Sequence, residues 1–171
     1  MSKIKTGDIR LVKRINDRVV LNLIREHGKI SGSMLSQITG MRPSTISSIL
    51  KDLQHKALIK NLGKGESTNR GGKRPFIWTI KKNAEFVIGI DIEIGEITAV
   101  VLDLSGEIVS QKIYQVPVSS NLDELLEQIK TCTNDIIESA KIDKIKELPV
   151  ILMQAGTRST SVMKIEIQNY R

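Results

Sequence analysis

The charges of this chain are sorted by position, and that constrains its organisation more than any other feature. Residues 1 to 82 carry 18 Lys and Arg against 5 Asp and Glu, a net +13, whereas residues 83 to 171 carry 8 against 14, a net −6. Two modules are therefore expected, the first with an electrostatic footprint for a polyanion and the second with a different task. A length of 171 residues suits this division and leaves no room for a large multidomain enzyme. Hydrophobic residues at 40% and charged residues at 26% suffice for a buried core. Aromatics at 3% supply too few stacking platforms for a binder of single strands, so the expected polyanion is a duplex.

The lone Cys132 cannot form an internal disulfide, and with only His27 and His55 beside it there is no zinc-spaced cluster. No metal and no cofactor is expected. The first residues lack an apolar signal segment, and no run approaches the roughly 18 apolar residues of a membrane span. The expectation is a cytoplasmic protein with no membrane partner.

Within the basic part, Leu11, Ile15, Val19, Leu23 and Ile24 recur at helical spacing from Asp8, a suitable N-cap, to about Glu26, and His27-Gly28 supplies a stop. A second, short helix is expected from about Ser31 to Gly40, with Leu35 and Ile38 facing inward. A third begins at Pro43, which suits a first turn because its missing N–H would go unpaired there anyway. Ile46, Ile49, Leu50 and Leu53 stand at i, i+3, i+4 and i+7 and define its buried stripe. The opposite face carries Ser44, Thr45, Ser47, Ser48 and Lys51, short and polar enough to let a helix lie deep in a major groove while hydroxyls reach phosphates and base edges. Two short helices joined by a Gly-containing turn, the second apolar behind and polar in front, form the helix-turn-helix pattern. Taken alone, hydroxyls near a helix start read as a solvated face that bonds its own backbone.

Two strands follow, Leu58 to Leu62 and Pro75 to Ile80, joined by a loop from Gly63 to Arg74. The loop holds Gly63, Gly65, Gly71 and Gly72 with Lys64, Arg70, Lys73 and Arg74, opposed by Glu66 alone. Such a segment is a wing that can approach a phosphate ridge or enter a narrow minor groove. It is not a phosphate loop of the nucleotide-binding kind, because no Gly-Lys-Ser/Thr opens a helix after a strand.

The ordered run Thr6-Gly7-Asp8, Leu11-Val12-Lys13, Asn16, Ile30-Ser31, Leu35, Thr39-Gly40-Met41-Arg42-Pro43-Ser44-Thr45-Ile46-Ser47, Leu53 and Gly71-Gly72-Lys73-Arg74-Pro75 resembles the winged-helix head of the ROK family transcriptional regulators. Within that family it is most similar to the xylose-repressor and N-acetylglucosamine-repressor type. The resemblance implies a repressor that binds operators near sugar-utilisation genes and releases them when a sugar appears. The expected DNA-binding set is then Ser44, Thr45 and Ser48 at base edges, Arg42, Lys51, Lys64, Lys73 and Arg74 on phosphates, and Ser47 and Arg70 beside them.

In the acidic part, Ile88, Ile90, Ile92 and Ile94 alternate as in a strand, Ile97 to Leu104 and Ile108 to Val118 read as two more, and Leu122 to Ala140 reads as an amphipathic helix. Pro149 to Met153 is a further strand candidate. This order resembles the opening of the actin-like sugar-kinase fold of ROK effector modules. Asp91 stands where that family has its phosphate-loop aspartate, but Glu93 and Ile94 replace the small glycines a nucleotide would need, and a carboxylate there repels triphosphate. ATP binding and kinase activity are not expected, and Asp91 is expected to be structural. The expected fold class is α/β: a winged helix-turn-helix domain over residues 1–82, then an incomplete first lobe of an actin-like (ribonuclease H-like) sugar-kinase fold over 83–153, with 154–171 unassigned. A truncated, frameshifted or fragmentary end would account for the missing second lobe. Since one lobe cannot form an interlobe cleft, this chain is not expected to sense a sugar effector well.

The expected partner is an operator in double-stranded DNA, with a homodimer to be tested. Two rivals remain at this point, a ROK-type sugar kinase and an interaction module that binds nucleic acid or acidic partners without sequence preference.

Overall fold

A computed structural model describes residues 9–65, 74–118, 121–142, 149–154 and 161–164. By spatial clustering the chain divides into two units, Met1–Lys82 and Asn83–Arg171.

The first unit is built from three helices and a small sheet. Helix α1 (Ile9–His27) precedes a two-residue strand β1 (Ile30–Ser31), helix α2 (Gly32–Thr39) and helix α3 (Pro43–His55). Strands β2 (Ile59–Lys64) and β3 (Phe76–Ile80) then pair antiparallel, and β1 joins the outer side of β3 to give the order β1-β3-β2. The pairing of Ile30 with Trp78 ties the hairpin to the turn between α1 and α2. The core consists of Val20 and Ile24 of α1, Leu35 of α2, Ile46, Ile49, Leu50 and Leu53 of α3, and Ile30, Ile59 and Ile80 of the sheet. Helix α3 ends without glycine. The Leu58 N–H donates to the Leu53 carbonyl, closing the turn around Ala57, which takes a left-handed φ of 58°.

The second unit is a five-stranded sheet of order β6-β5-β4-β7-β8 with one helix. Strands β4 (Phe86–Glu93), β5 (Glu96–Asp103) and β6 (Ile108–Gln115) form an antiparallel meander; α4 (Leu122–Ser139) then crosses over so that β7 (Pro149–Gln154) runs parallel to β4, and β8 (Ser161–Lys164) returns antiparallel to β7. Ile129, Cys132, Ile136 and Ile137 of α4 pack on Ile88, Ile90, Ile97, Ala99 and Val101 of the sheet. Asn121 caps α4 by accepting from the Glu124 N–H at 2.9 Å, while Asp123 and Glu124 complement the helix dipole. Asp103, buried at the end of β5, accepts from the Ser105 N–H, the Ser105 hydroxyl and the Glu107 N–H, so its carboxylate holds the β5–β6 turn. Lys112 and Tyr114 of β6 both donate to Asp135 of α4, at 2.8 and 2.7 Å. Those two bonds, Lys112 first, hold the Asp135 carboxyl below the usual carboxylate range. Burial, reinforced by the same bond, pushes the Tyr114 phenol up.

Several expectations need correction. In α1 the buried face is Asp17, Val20 and Ile24, and Leu11, Ile15 and Val19 lie exposed on the far side; helical spacing cannot tell which of two apolar stripes meets the core. Ile38, expected inward, is exposed because α2 has only two turns and one buried residue, Leu35. Ile94 continues the alternation of β4 only in sequence: it stands in the turn before Gly95 (φ 80°) and is 92% exposed. Strand β6 stops at Gln115, before the exposed Val118. Strands β1 and β8 were not anticipated, the latter falling in the stretch left unassigned.

Two substitutions check these local conformations. Ala57→Gly should stabilise the first unit by up to about 1 kcal/mol, since glycine takes a left-handed φ without the Cβ penalty but loses more chain entropy. Gly89→Ala should destabilise the second, because its Cβ would stand 3.0 Å from Val100 Cγ1 on the paired strand. Urea midpoints at unchanged slope measure both; a loss for the first or a gain for the second would contradict the structure.

Candidate nucleic-acid interface

The angle between α2 and α3 is set by side-chain hydroxyls. Ser31 caps α2 by accepting from the Met34 N–H at 3.2 Å, and Gly40 ends it in the left-handed conformation (φ 68°). Thr39 Oγ1 donates to the Leu35 carbonyl and accepts from the Met41 N–H, while Ser36 Oγ donates to the Met41 carbonyl. Both polar groups of the Met41 backbone are thereby held, and Arg42 enters α3 in an extended conformation (ψ 143°) with Pro43 in the first turn. Sequence reasoning missed the roles of Ser36 and Thr39, although hydroxyls on both sides of Gly40-Met41 were there to be read.

The apolar stripe of α3 is buried, so its other face turns to solvent: Arg42, Ser44, Thr45, Ser47, Ser48 and Lys51 are all exposed. Elsewhere in the chain hydroxyls on helices bond backward to their own carbonyls, as Thr131, Thr133 and Ser139 do in α4. Among the described residues Ser44, Thr45, Ser47 and Ser48 have no such partner, and Arg42 and Lys51 have no ion pair. The helix start also lacks a side-chain cap and an acidic residue in its first turn. Donors and positive potential at the front of α3 therefore remain available to an anion.

Two ion pairs join α1 to α3. Lys13 Nζ lies 2.7 Å from Asp52 Oδ2, and Lys56 Nζ lies 3.8 Å from Asp17 Oδ2. The first contact, through its hydrogen bond and then its charge, raises the Lys13 amine and lowers the Asp52 carboxyl. These two cations are neutralised within the unit, and Asp17 is buried with its Oδ1 unpartnered, so the footprint for a polyanion is narrower than the count of Lys and Arg suggested.

The hairpin supplies the rest. Its register runs Ile59 to Ile80, Lys60 to Thr79 and Asn61 to Trp78, then shifts to Lys64 opposite Phe76. Asn61 Oδ1 accepts from the Gly63 N–H at 2.6 Å, and the Gly65 N–H donates to the Pro75 carbonyl at 2.8 Å. A Cβ at Gly65 would lie 2.9 Å from the Ile77 side chain, so glycine is required where the two strands part. Lys64 and Arg74, both exposed, stand on either side of that parting. Arg70 and Lys73 lie outside the described residues. In the second unit, a groove of about 640 Å³ at the tip of the β4–β5 hairpin is walled by Ile92, Ile94, Val116, Pro117 and Leu125. Glu93 is the charged side chain in its lining, which has no cation to offer a triphosphate, and Asp91 is half-buried within β4 opposite Thr98. Among the described residues no group of three His, Cys, Asp or Glu could hold a metal ion, and no helix is long and apolar enough to cross a membrane.

No model of a known protein family matches the sequence. The chain is 33% identical over 123 residues to the xylose repressor of Bacillus spizizenii, covering 72% of this chain and 31% of that one. It is 34% identical over 103 residues to the xylose repressor of Bacillus subtilis, covering 60% and 26%. It is 27% identical over 111 residues to the DNA-binding transcriptional dual regulator NagC of Escherichia coli, covering 65% and 27%. The chain thus spans about a third or less of the length of these relatives. In structure it is similar, at 21% identity and a TM-score of 0.61, to a ROK family transcriptional regulator described as a homologue of the E. coli MLC protein, over 82% of this chain and 36% of the other. That likeness establishes an α/β fold of the same kind.

The exposed hydroxyls should be dispensable for folding. Thr45→Ala and Ser48→Ala should each change stability by no more than about 0.5 kcal/mol, whereas Ile46→Ala should cost about 2–5 kcal/mol. Thermal or urea unfolding decides this, and a large loss at Thr45 or Ser48 would mean that those hydroxyls serve the fold.

Proposed function

Since this chain belongs with the ROK family transcriptional regulators, we propose that it is a sequence-specific, double-stranded DNA-binding repressor of sugar-utilisation genes. Residues 1–82 act as a winged helix-turn-helix domain, with α3 in the major groove and the 63–74 loop as the wing on the adjacent backbone or minor groove. The observation that supports this most directly is the front of α3, where four hydroxyls stand between Arg42 and Lys51 and, among the described residues, none of the hydroxyls has an internal partner and neither cation an ion pair. Ser44, Thr45 and Ser48 read base edges and Ser47 lies beside them. Arg42, Lys51, Lys64, Lys73 and Arg74, with Arg70, hold phosphates.

Residues 83–153 are assigned to one lobe of the actin-like fold, where they would supply one wall of an effector cleft. The relatives named xylose repressor point to a pentose among the candidate effectors. Phosphoryl transfer is disfavoured by the groove at the β4–β5 tip, whose described lining holds Glu93 among apolar residues and no cation for a phosphate. A regulator of this kind works in the cytoplasm, without cofactor or membrane.

Anisotropy titrations of an inverted-repeat operator and a scrambled duplex test the proposal. Affinity for the operator should fall about a thousandfold between about 50 and 200 mM salt if roughly six phosphates are neutralised. Thr45→Ala should cost about 1–3 kcal/mol of discrimination between the duplexes, whereas Lys73→Ala should weaken both alike and reduce the salt slope by about one. Equal affinity for the two duplexes would overturn sequence-specific repression in favour of non-specific binding.

A further inference from the structure

The first turn of α3 stands clear of the core. Arg42, Pro43, Ser44 and Thr45 are all exposed, and Ile46, 1% exposed, is the first residue of the helix that packing holds. The Ile46 N–H donates to the Arg42 carbonyl at 3.1 Å, and Arg42, in the cap position, offers no side-chain cap. Burial therefore fixes this turn from its C-terminal end only. On its other side lies Gly40, in the left-handed conformation, with nothing within 4 Å of where a side chain would begin.

What closes that side is the backbone of Met41, on which two side chains of α2 converge. Thr39 Oγ1 accepts from the Met41 N–H at 3.2 Å while donating to the Leu35 carbonyl at 2.7 Å, and Ser36 Oγ donates forward to the Met41 carbonyl. In α4 the hydroxyls of Thr131, Thr133 and Ser139 bond back to carbonyls of the preceding turn, whereas these two reach beyond the end of their helix. The consequence is geometric. A tilt of about 10° about Ile46 would move Arg42, roughly 6 Å along the axis, by about 1 Å, which exceeds the roughly 0.5 Å within which a recognition site must hold its groups. We propose that Ser36 and Thr39 position the first turn of α3 for reading bases, acting through Met41, with their hydroxyls spent inside the turn and not on DNA. They govern discrimination between sequences and not the number of phosphates gripped, because neither carries charge. The role in reading rests on the proposed function; the clamp on the turn does not.

Thr39→Val keeps the shape of the side chain and loses its hydroxyl. In the full chain it should cut the ratio of affinities for inverted-repeat operator and scrambled duplex about tenfold at an unchanged salt slope, whereas Thr39→Ser should keep the natural ratio. Ser36→Ala should act in the same direction as Thr39→Val. In a chain already carrying Thr45→Ala the loss from Thr39→Val should shrink, since part of what is positioned is gone. Without DNA, amide exchange at Ile46 should quicken about tenfold more than at Leu53, the far end of the buried stripe, in both hydroxyl-less variants. A natural chain that discriminates, with Thr39→Val and Ser36→Ala discriminating equally well, overturns this proposal and leaves the proposed function standing. Exchange that rises equally at Ile46 and Leu53 also overturns it, the hydroxyls then serving global stability alone. A natural chain that binds both duplexes alike overturns the proposed function and the role in reading with it, and exchange at Ile46 then decides the clamp by itself.

Discussion

The first unit depends on the burial of one stripe of α3. Ile46, Ile49, Leu50 and Leu53 occupy the space between α1, α2 and the base of the hairpin, and all four are removed from water almost completely. Each such side chain contributes about 1.5–3 kcal/mol of burial, which no rearrangement that rolled the helix could recover. Because the stripe cannot turn outward, the hydroxyl face cannot turn inward. The same packing that stabilises the unit therefore determines which chemistry it shows to a ligand.

Two kinds of contact hold that orientation steady. Gly32, at the start of α2, lies against α3, where a Cβ would stand 3.4 Å from Leu50 Cδ1, in ordinary van der Waals contact. On the other side Lys13 and Lys56 reach between α1 and α3 to Asp52 and Asp17. These pairs take two cations out of the basic total, while Arg42 and Lys51 at the front of α3 and Lys64 and Arg74 at the mouth of the hairpin stay exposed. Net charge in the first half raised the expectation of a polyanion partner, and ion pairing narrows the set of residues that could meet one.

Much of this could be read from residue order alone, for identifiable reasons. The stripe of α3 was legible because its spacing admits one face, and Pro43 marked its start. The meander and the crossover to β7 were legible because alternating isoleucines, then a helical period, then a short apolar run admit few topologies. How α3 ends was not legible, since Ala57 takes a conformation usually left to glycine. Nor was the buried side of α1, where two apolar stripes compete and only tertiary packing chooses Val20 and Ile24 over Leu11 and Ile15. The residues proposed for the site on α3 stood out by their polarity, and the structure leaves them exposed. Ser36 and Thr39 escaped notice because their work is to bond backbone in a turn, which composition does not announce.

The turn between α2 and α3 is braced wholly by neutral groups: the hydroxyls of Ser36 and Thr39, the amide and carbonyl of Met41, and the left-handed backbone of Gly40. None of these gains or loses a proton in the range where cells live. The nearest ionised brace, Lys13 with Asp52, has its amine raised and its carboxyl lowered, so both stay charged throughout that range. The geometry of this turn therefore does not depend on acidity, and a signal that alters it must arrive as a mechanical displacement and not as a proton.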